Sequence, residues 1–214
     1  MRKIIGGFLT LLWLASAALA DDEVVIAALG DSLTQGYGLP EGDGLVPQLQ
    51  AWLDARGASV RIQNAGVSGD TTAGGLARVG WTLTPEVDAM ILALGANDML
   101  RGVDPSLTRT NLDAILDAAD AAGTPVLLLG FEAPGNYGPE YKAAFDAIYP
   151  DLAAEHGAAL YPHFFAGLGV EGSDLAAARP LMQADGIHPN AQGVRRIVEA
   201  IGPAVLDLAS RAGE

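Results

Sequence analysis

The fold of this chain is indicated most clearly by one segment, Val24-Val25-Ile26-Ala27-Ala28-Leu29-Gly30-Asp31-Ser32-Leu33. Its first six residues form an uninterrupted apolar run, which is typical of a strand covered on both faces of a parallel sheet. The glycine that follows allows a tight exit from the strand. A helix beginning at Ser32 would leave backbone N–H groups free, including its own, because the first N–H groups of a helix have no partner within it. The segment therefore predicts a buried strand that delivers Ser32 to the edge of a sheet.

Short apolar or mixed runs recur along the chain and alternate with helical patterns. The further runs span residues 60–63, 89–94, 126–129 and 158–161. Alternating strands and helices predict a parallel sheet covered by helices on both faces through right-handed crossovers. The sequence therefore indicates an α/β fold with a five-stranded sheet in a three-layer αβα sandwich.

Several residues mark helix boundaries. Asp104-Pro105 is expected to cap and start one helix, and Asn190 to cap the last. We expect Gly57 to end an earlier helix. Pro150 and Pro203 should break or bend the helices that contain them.

Polar or glycine residues follow the first three strands. Ser32 follows the first, Gly66 the second and Asn97 the third. Sites in parallel sheets lie at the carboxyl ends of the strands, so we expect these residues to meet. Gly66 can offer its backbone N–H, and Asn97 its side-chain amide, to an oxyanion. For Asp70 we expect a helix N-cap, and for Asp98 a local turn or cap.

Asp185 and His188 supply the remaining parts of a nucleophilic site. Their spacing of three residues can place the carboxylate on Nδ1 of the imidazole and leave Nε2 free to face Ser32. His156 lies near a predicted helix end and His163 in an apolar setting, so neither competes as the base. Ester or thioester hydrolysis is the leading hypothesis, although Ser32 could also be only a helix cap. The three histidines indicate no metal site.

The composition of the chain limits the classes of partner that it can bind. The 214 residues carry a net charge of −14 and contain no cysteine. The negative charge argues against nucleic acid and against anionic membrane surfaces as partners. The absence of cysteine excludes disulfides and a cysteine nucleophile.

Residues 1–20 have the pattern of a secretory signal peptide. Arg2 and Lys3 precede an apolar stretch, and Ala18-Leu19-Ala20 is a cleavage signal. An uncleaved anchor is the alternative, but the stretch is shorter than the ~20 residues that a spanning helix needs. We expect an exported, periplasmic or secreted protein with one domain over residues 21–214, monomeric and not inserted in a membrane after cleavage. That mature chain carries a net charge of −16, because Arg2 and Lys3 leave with the signal.

The chain resembles the SGNH, or GDSL, hydrolase family. The four blocks of that family correspond to Ser32, Gly66, Asn97 and His188, in that order, with Asp185 as the third member of the triad. Further similarity to the bacterial periplasmic thioesterase I, protease I, lysophospholipase and arylesterase subgroup lies in these stretches: 68–72, 75–78, 97–102, 136–138, 147–150 and 185–190.

The resemblance implies a flavodoxin-like topology and a serine esterase or thioesterase that acts on acyl chains through an acyl-enzyme. It implies that the backbone N–H groups of Ser32 and Gly66 and the amide of Asn97 form the oxyanion hole. Asn136 and Tyr137 would border the acyl-chain groove. No cofactor is implied, and the partners would be small acyl esters or thioesters.

Two alternatives remain at this point. A carbohydrate O-deacetylase of the same family would use the same residues on acetyl groups alone. A non-catalytic flavodoxin-like binding module would need a phosphate-binding loop, and the sequence contains no stretch that matches one.

Overall fold

The computed structural model describes residues 23–169 and 175–213, which form a five-stranded parallel sheet with helices on both faces. The sheet order is β2-β1-β3-β4-β5, and every neighbouring pair is parallel. The strands are β1 (Val24–Gly30), β2 (Val60–Gly66), β3 (Ala89–Ala93), β4 (Val126–Leu129) and β5 (Ala159–Tyr161).

Eight α-helices accompany the strands in the described part of the chain. They are α1 (Ser32–Gln35), α2 (Leu45–Asp54), α3 (Thr72–Thr82), α4 (Ala96–Leu100), α5 (Pro105–Ala122), α6 (Pro139–Asp146), α7 (Ile148–His156) and α8 (Ala191–Ala212). Single 3₁₀ turns lie at Gly135–Tyr137, Phe164–Leu168 and Arg179–Leu181.

The core lies between the sheet and its two helical layers. Every residue of β3 and β4 is buried, as the apolar runs in the sequence predict. Helices α2 and α8 pack against each other in one layer, while α5 packs against α3 and α7 in the other. This arrangement confirms the predicted three-layer α/β sandwich.

The predicted helix boundaries are confirmed at three places and wrong at one. The side chains of Asp104 and Asn190 accept hydrogen bonds from the first turns of α5 and α8. The helical region around Pro150 is broken, since α6 ends at Asp146 and α7 begins at Ile148. Gly57 does not end α2, because that helix already stops at Asp54 and Ala55 provides its cap.

The strand order reverses between β1 and β3, because β2 lies on one side of β1 and all later strands lie on the other. A reversal of this kind opens a crevice at the carboxyl ends of the two central strands. The residues that follow β1 and β3 therefore face a common space.

No helix within the two described ranges is both long and apolar enough to span a bilayer. The predicted signal peptide lies outside these residues.

The imidazole of His156 joins α7 to α5 through Asp113 and Asp120, and these three residues are called the helix clamp. Nδ1 of His156 lies 2.7 Å from a carboxylate oxygen of Asp120, and Nε2 lies 2.9 Å from one of Asp113. Burial alone would lower the pKa of His156, but the two aspartates outweigh it and the net shift is upward from 6.5. Asp117 adds a further carboxylate beside this pair.

The raised pKa of His156 in the helix clamp predicts that the free energy of unfolding depends on pH. Since the folded-state pKa of His156 lies above its unfolded value, its stabilisation is complete below about pH 6.5 and is lost as the pH rises through the folded-state pKa. We expect His156→Gln to lower the melting temperature by roughly 2–4 °C, or about 1 kcal/mol, at pH 5.5. At pH 8.5 the difference should shrink. An equal difference at both pH values would contradict the charged clamp.

Candidate active site

Ser32 occupies the first position of α1, directly after β1. The carboxylate of Asp31 accepts a hydrogen bond of 2.9 Å from the Leu33 N–H and so caps this short helix. The cap role considered for this segment thus belongs to Asp31, and Ser32 remains available for other contacts. Its side chain projects into the crevice between β1 and β3.

The structure brings Ser32, His188 and Asp185 together. Nε2 of His188 lies 2.8 Å from Oγ of Ser32, and Nδ1 lies 2.7 Å from Oδ2 of Asp185. The other oxygen of Asp185 accepts from the backbone N–H groups of Ile187 and His188 at 2.9 and 3.1 Å. Residues 185–188 therefore form a turn that holds the Asp185 carboxylate in hydrogen-bond contact with the His188 imidazole.

Asp185 is ionised throughout the range in which histidine is neutral. Burial alone would raise its pKa, but hydrogen bonds from His188 and from the backbone lower the pKa to about 2. A fixed negative charge at Nδ1 would stabilise an imidazolium if His188 accepted a proton at Nε2.

Gln183 and Tyr37 hold the histidine loop against the serine. The side-chain amide of Gln183 donates to the carbonyl oxygens of Tyr37 and Pro189 at 2.8 and 3.0 Å, and its backbone N–H donates to the His188 carbonyl at 2.7 Å. The Tyr37 ring lies 4.8 Å from the His188 ring. These contacts fix the distance between two segments that are remote in sequence, and no motif in the sequence indicates either residue.

Asn97 lies on α4, after β3, and faces Ser32 across the crevice. Its amide donates one hydrogen bond of 3.1 Å to Asp31, and its second amide hydrogen has no acceptor among the described residues. Asp31 is fully buried, and this burial raises its pKa to about 6 against the opposing effect of hydrogen bonds from Leu33 and Asn97. The buried carboxyl group therefore sets the orientation of the Asn97 amide.

Gly66 does not reach the site in the way the sequence predicted. Its N–H donates to the side chain of Asn64 at 2.9 Å, so it is already occupied. A Cβ at this position would lie 2.4 Å from the backbone nitrogen of Gln35. The glycine is therefore explained by close packing of β2 against α1. It is also missing from the described residues that line the cavity beside Ser32.

Gly69, three residues further on, occupies the place expected for Gly66. It lines the cavity together with Ser32 and Asn97, and its φ of +81° is a conformation that favours glycine. Its carbonyl accepts a hydrogen bond of 2.7 Å from Arg101. Its N–H has no acceptor among the residues that the structure describes. Gly69 has no local signal that separates it from Gly66, because the two glycines lie three residues apart and only the backbone conformation distinguishes them.

The cavity beside the triad has a volume of about 420 Å³ and walls that are mostly apolar. Its apolar lining consists of Leu33, Tyr37, Ala96, Met99, Leu100, Phe165, Leu175 and Ile187. An apolar cavity with a few convergent polar groups at one end suits an acyl chain whose carbonyl lies beside the serine.

Asn136 and Tyr137 are not among the described residues that line this cavity. The Tyr137 hydroxyl donates to the Leu100 carbonyl at 3.3 Å, and its ring packs against Tyr141. Tyr137 therefore supports the Leu100 wall from behind. The structure shows no corresponding contact for Asn136.

The local roles expected for Asp70 and Asp98 are wrong. Thr71 caps α3, while Asp70 forms an ion pair of 2.7 Å with Arg78. Asp98 is buried and accepts hydrogen bonds from the N–H and hydroxyl groups of Thr72 at 2.8 and 2.6 Å. Both carboxylates therefore join separate segments, which a local pattern does not reveal.

Among the described residues, one group has the spacing of possible metal ligands: Asp117, Asp120 and His156. None of the three lines the cavity, and both His156 nitrogens face carboxylates. Asp120 and His156 belong to the helix clamp.

A hydroxyl, an imidazole and a carboxylate joined in this order beside an apolar cavity define a serine hydrolase. The chain belongs to the GDSL-like Lipase/Acylhydrolase family, whose pattern matches residues 28–196.

Relatives with assigned names agree with this class. The chain is 40% identical over 206 residues to Esterase TesA of Pseudomonas aeruginosa, covering 96% of this chain and 98% of the relative. It is 38% identical over 184 residues to Thioesterase 1/protease 1/lysophospholipase L1 of Escherichia coli K12, covering 86% and 83%. The crystal structure of AlinE4, an SGNH-hydrolase family esterase, is 42% identical with a TM-score of 0.71, covering 87% of this chain and 96% of that one.

The geometry predicts different roles for two asparagines near the site. Asn97→Ala removes an amide hydrogen aimed at the crevice, and we expect kcat for ester hydrolysis to fall about 10²–10³-fold. Asn64→Ala removes the acceptor of the Gly66 N–H and a 3.5 Å contact to the Gln35 carbonyl, both outside the cavity, and should leave kcat close to the parent value. Steady-state kinetics on both purified variants, with melting curves as folding controls, measure this difference. Equal losses in the two variants would contradict the arrangement.

Proposed function

We propose that this protein cleaves acyl esters and thioesters with Ser32 as nucleophile, His188 as general base and Asp185 as the group that orients the imidazole. The observation that carries the proposal is the 2.8 Å contact between Ser32 Oγ and His188 Nε2 at one end of an apolar cavity.

The reaction proceeds in two halves. His188 takes the Ser32 proton as Oγ attacks the acyl carbonyl, and the resulting imidazolium protonates the departing alcohol or thiol. Water then attacks the acyl-enzyme while His188 again accepts a proton, which it returns to Oγ as the carboxylic acid leaves. Asp185 stays ionised in both halves and stabilises the imidazolium.

Three donors would stabilise the oxyanion: the N–H groups of Ser32 and Gly69 and the free amide hydrogen of Asn97. Gly69 replaces Gly66 in this set because it lines the cavity and its N–H is unoccupied among the described residues. Each such donor acts on the charge of the tetrahedral intermediate and contributes mainly to kcat.

The apolar lining supports medium or long acyl chains as substrates. A carbohydrate deacetylase needs polar groups for a sugar, and the side chains that line this cavity are mainly hydrocarbon and aromatic. The name of the Escherichia coli relative, which includes both thioesterase and lysophospholipase, is consistent with an acyl-chain hydrolase.

A series of p-nitrophenyl esters from acetyl to palmitoyl tests this function. Hydrolysis should peak at medium or long chains because each buried CH₂ contributes about 0.8 kcal/mol of transfer free energy. Ser32→Ala should abolish the activity at every length, while Ser210→Ala, which changes an exposed serine of α8 away from the cavity, serves as a control that keeps it. Hydrolysis of acetyl esters alone would favour the deacetylase, and an active Ser32→Ala variant would refute the mechanism.

We also propose that residues 1–20 are removed on export and that residues 21–214 act as a monomeric single domain in the periplasm or outside the cell. The charged start, apolar stretch and Ala18-Leu19-Ala20 signal support this. Intact mass of the protein recovered from the exported fraction should correspond to a chain that begins at Asp21. A full-length mass in the cytosol would contradict export.

A further inference from the structure

Arg78 makes three short polar contacts behind the active-site loops. From its position on α3, its Nη2 donates to the Gly30 carbonyl at 2.8 Å and its Nη1 to the Ala65 carbonyl at 2.6 Å. Its Nε donates to the Asp70 carboxylate at 2.7 Å. The two charged side chains are about one-fifth exposed. One guanidinium therefore joins the end of β1, the end of β2 and the loop that follows β2.

Each end of this junction lies close in sequence to a proposed oxyanion donor. Gly30 precedes Ser32 by two residues, and Asp70 directly follows Gly69. Ala65 fixes the point at which the chain leaves β2 toward Gly69. The relative position of the two backbone donors therefore depends on the shape of one side chain.

Arginine suits this position for a physical reason. Its guanidinium is planar and presents its donors in a fixed fork, so three acceptors bound to it cannot shift independently. A lysine at the same place offers a compact ammonium on a flexible stem and cannot reproduce the three directions. Hydrogen bonds from a charged donor are also stronger than neutral ones.

We propose that Arg78 is a positioning residue for the oxyanion hole, which sets the spacing between the N–H groups of Ser32 and Gly69. The proposal rests on the function proposed above and adds a residue that touches neither substrate nor triad. Its effect reaches the reaction only through the placement of the two donors.

The consequence is a specific kinetic signature. The oxyanion forms only during the reaction. Misplaced donors therefore reduce the stabilisation of the transition state and leave binding of the substrate in its ground state unchanged. A displacement on the scale of 1 Å can cost about 10²-fold in rate. Loss of Arg78 should therefore lower kcat and change KM little.

The experiment compares Arg78→Lys with Arg61→Lys in the mature protein. Arg61 on β2 also pairs with a carboxylate, Glu23, but on the surface and away from the cavity. We expect Arg78→Lys to lower kcat about 10–100-fold with KM within about threefold of the parent. We expect Arg61→Lys to leave both constants unchanged. Melting curves measure the stability of both variants.

A transition-state analogue separates positioning from general damage. An alkyl trifluoromethyl ketone forms a hemiketal with Ser32 whose oxyanion needs the same donors, whereas a free fatty acid occupies only the apolar cavity. Arg78→Lys should lower the affinity for the ketone by the same factor as it lowers kcat/KM, and should leave the affinity for the fatty acid unchanged. Asp70→Asn keeps the guanidinium but weakens one of its contacts, so it should show a smaller loss in the same direction. It provides the test if Arg78→Lys does not fold.

Either of two results would overturn the proposal: a kcat equal to that of the parent in the folded variants, or an equal loss of affinity for the ketone and for the fatty acid. These results are distinct from failure of the proposed function, in which Ser32→Ala would remain active. An inactive Ser32→Ala together with a fully active Arg78→Lys would reject only the role of Arg78.

Discussion

The structure depends on one hydrogen bond between the two ends of the folded chain. Ser32 follows the first strand and His188 precedes the last helix, 156 residues later, yet Oγ and Nε2 lie 2.8 Å apart. The sheet delivers the serine, because β1 is central and its carboxyl end opens into the crevice beside β3. The last loop delivers the histidine, because Asp185 shapes its turn and Gln183 ties it to the segment after α1. A serine hydroxyl becomes a useful nucleophile only when both conditions hold.

A second layer of buried polar groups holds the rest of the site. Asp31 orients Asn97, Asp98 joins α4 to the start of α3, and Arg78 joins the ends of β1 and β2. Each of these groups is buried or mostly so, where a polar side chain is costly unless it is fully bonded. Such bonding gives each group a single arrangement. The donors proposed for the oxyanion would thus be placed before any substrate arrives, as electrostatic stabilisation of an oxyanion requires.

Much of the fold and the triad could be predicted from sequence, because both leave local signals. Apolar or mixed runs mark all five strands, and the Asp185–His188 spacing forms its own turn. Most of the errors concern contacts between separate elements, whereas the early end of α2 is a local one. Gly66 ends β2 and Gly69 lies three residues later, and only packing against Gln35 and a positive φ distinguish their roles. Asp70, Asp98 and His156 find partners on other elements, which no local spacing encodes. The cavity wall could not be assigned either, since it gathers side chains from several loops and Tyr137 lies behind it.

The mechanism proposed here requires Ser32 to be the activated nucleophile. The most direct measurement is covalent labelling with a p-nitrophenyl alkylphosphonate, followed by peptide mass spectrometry and release of nitrophenol in a burst. This account predicts one equivalent of label on Ser32, loss of hydrolytic activity in parallel with labelling, and much slower labelling in His188→Ala. Label on Ser68, or full labelling of Ser32 with activity retained, would contradict it.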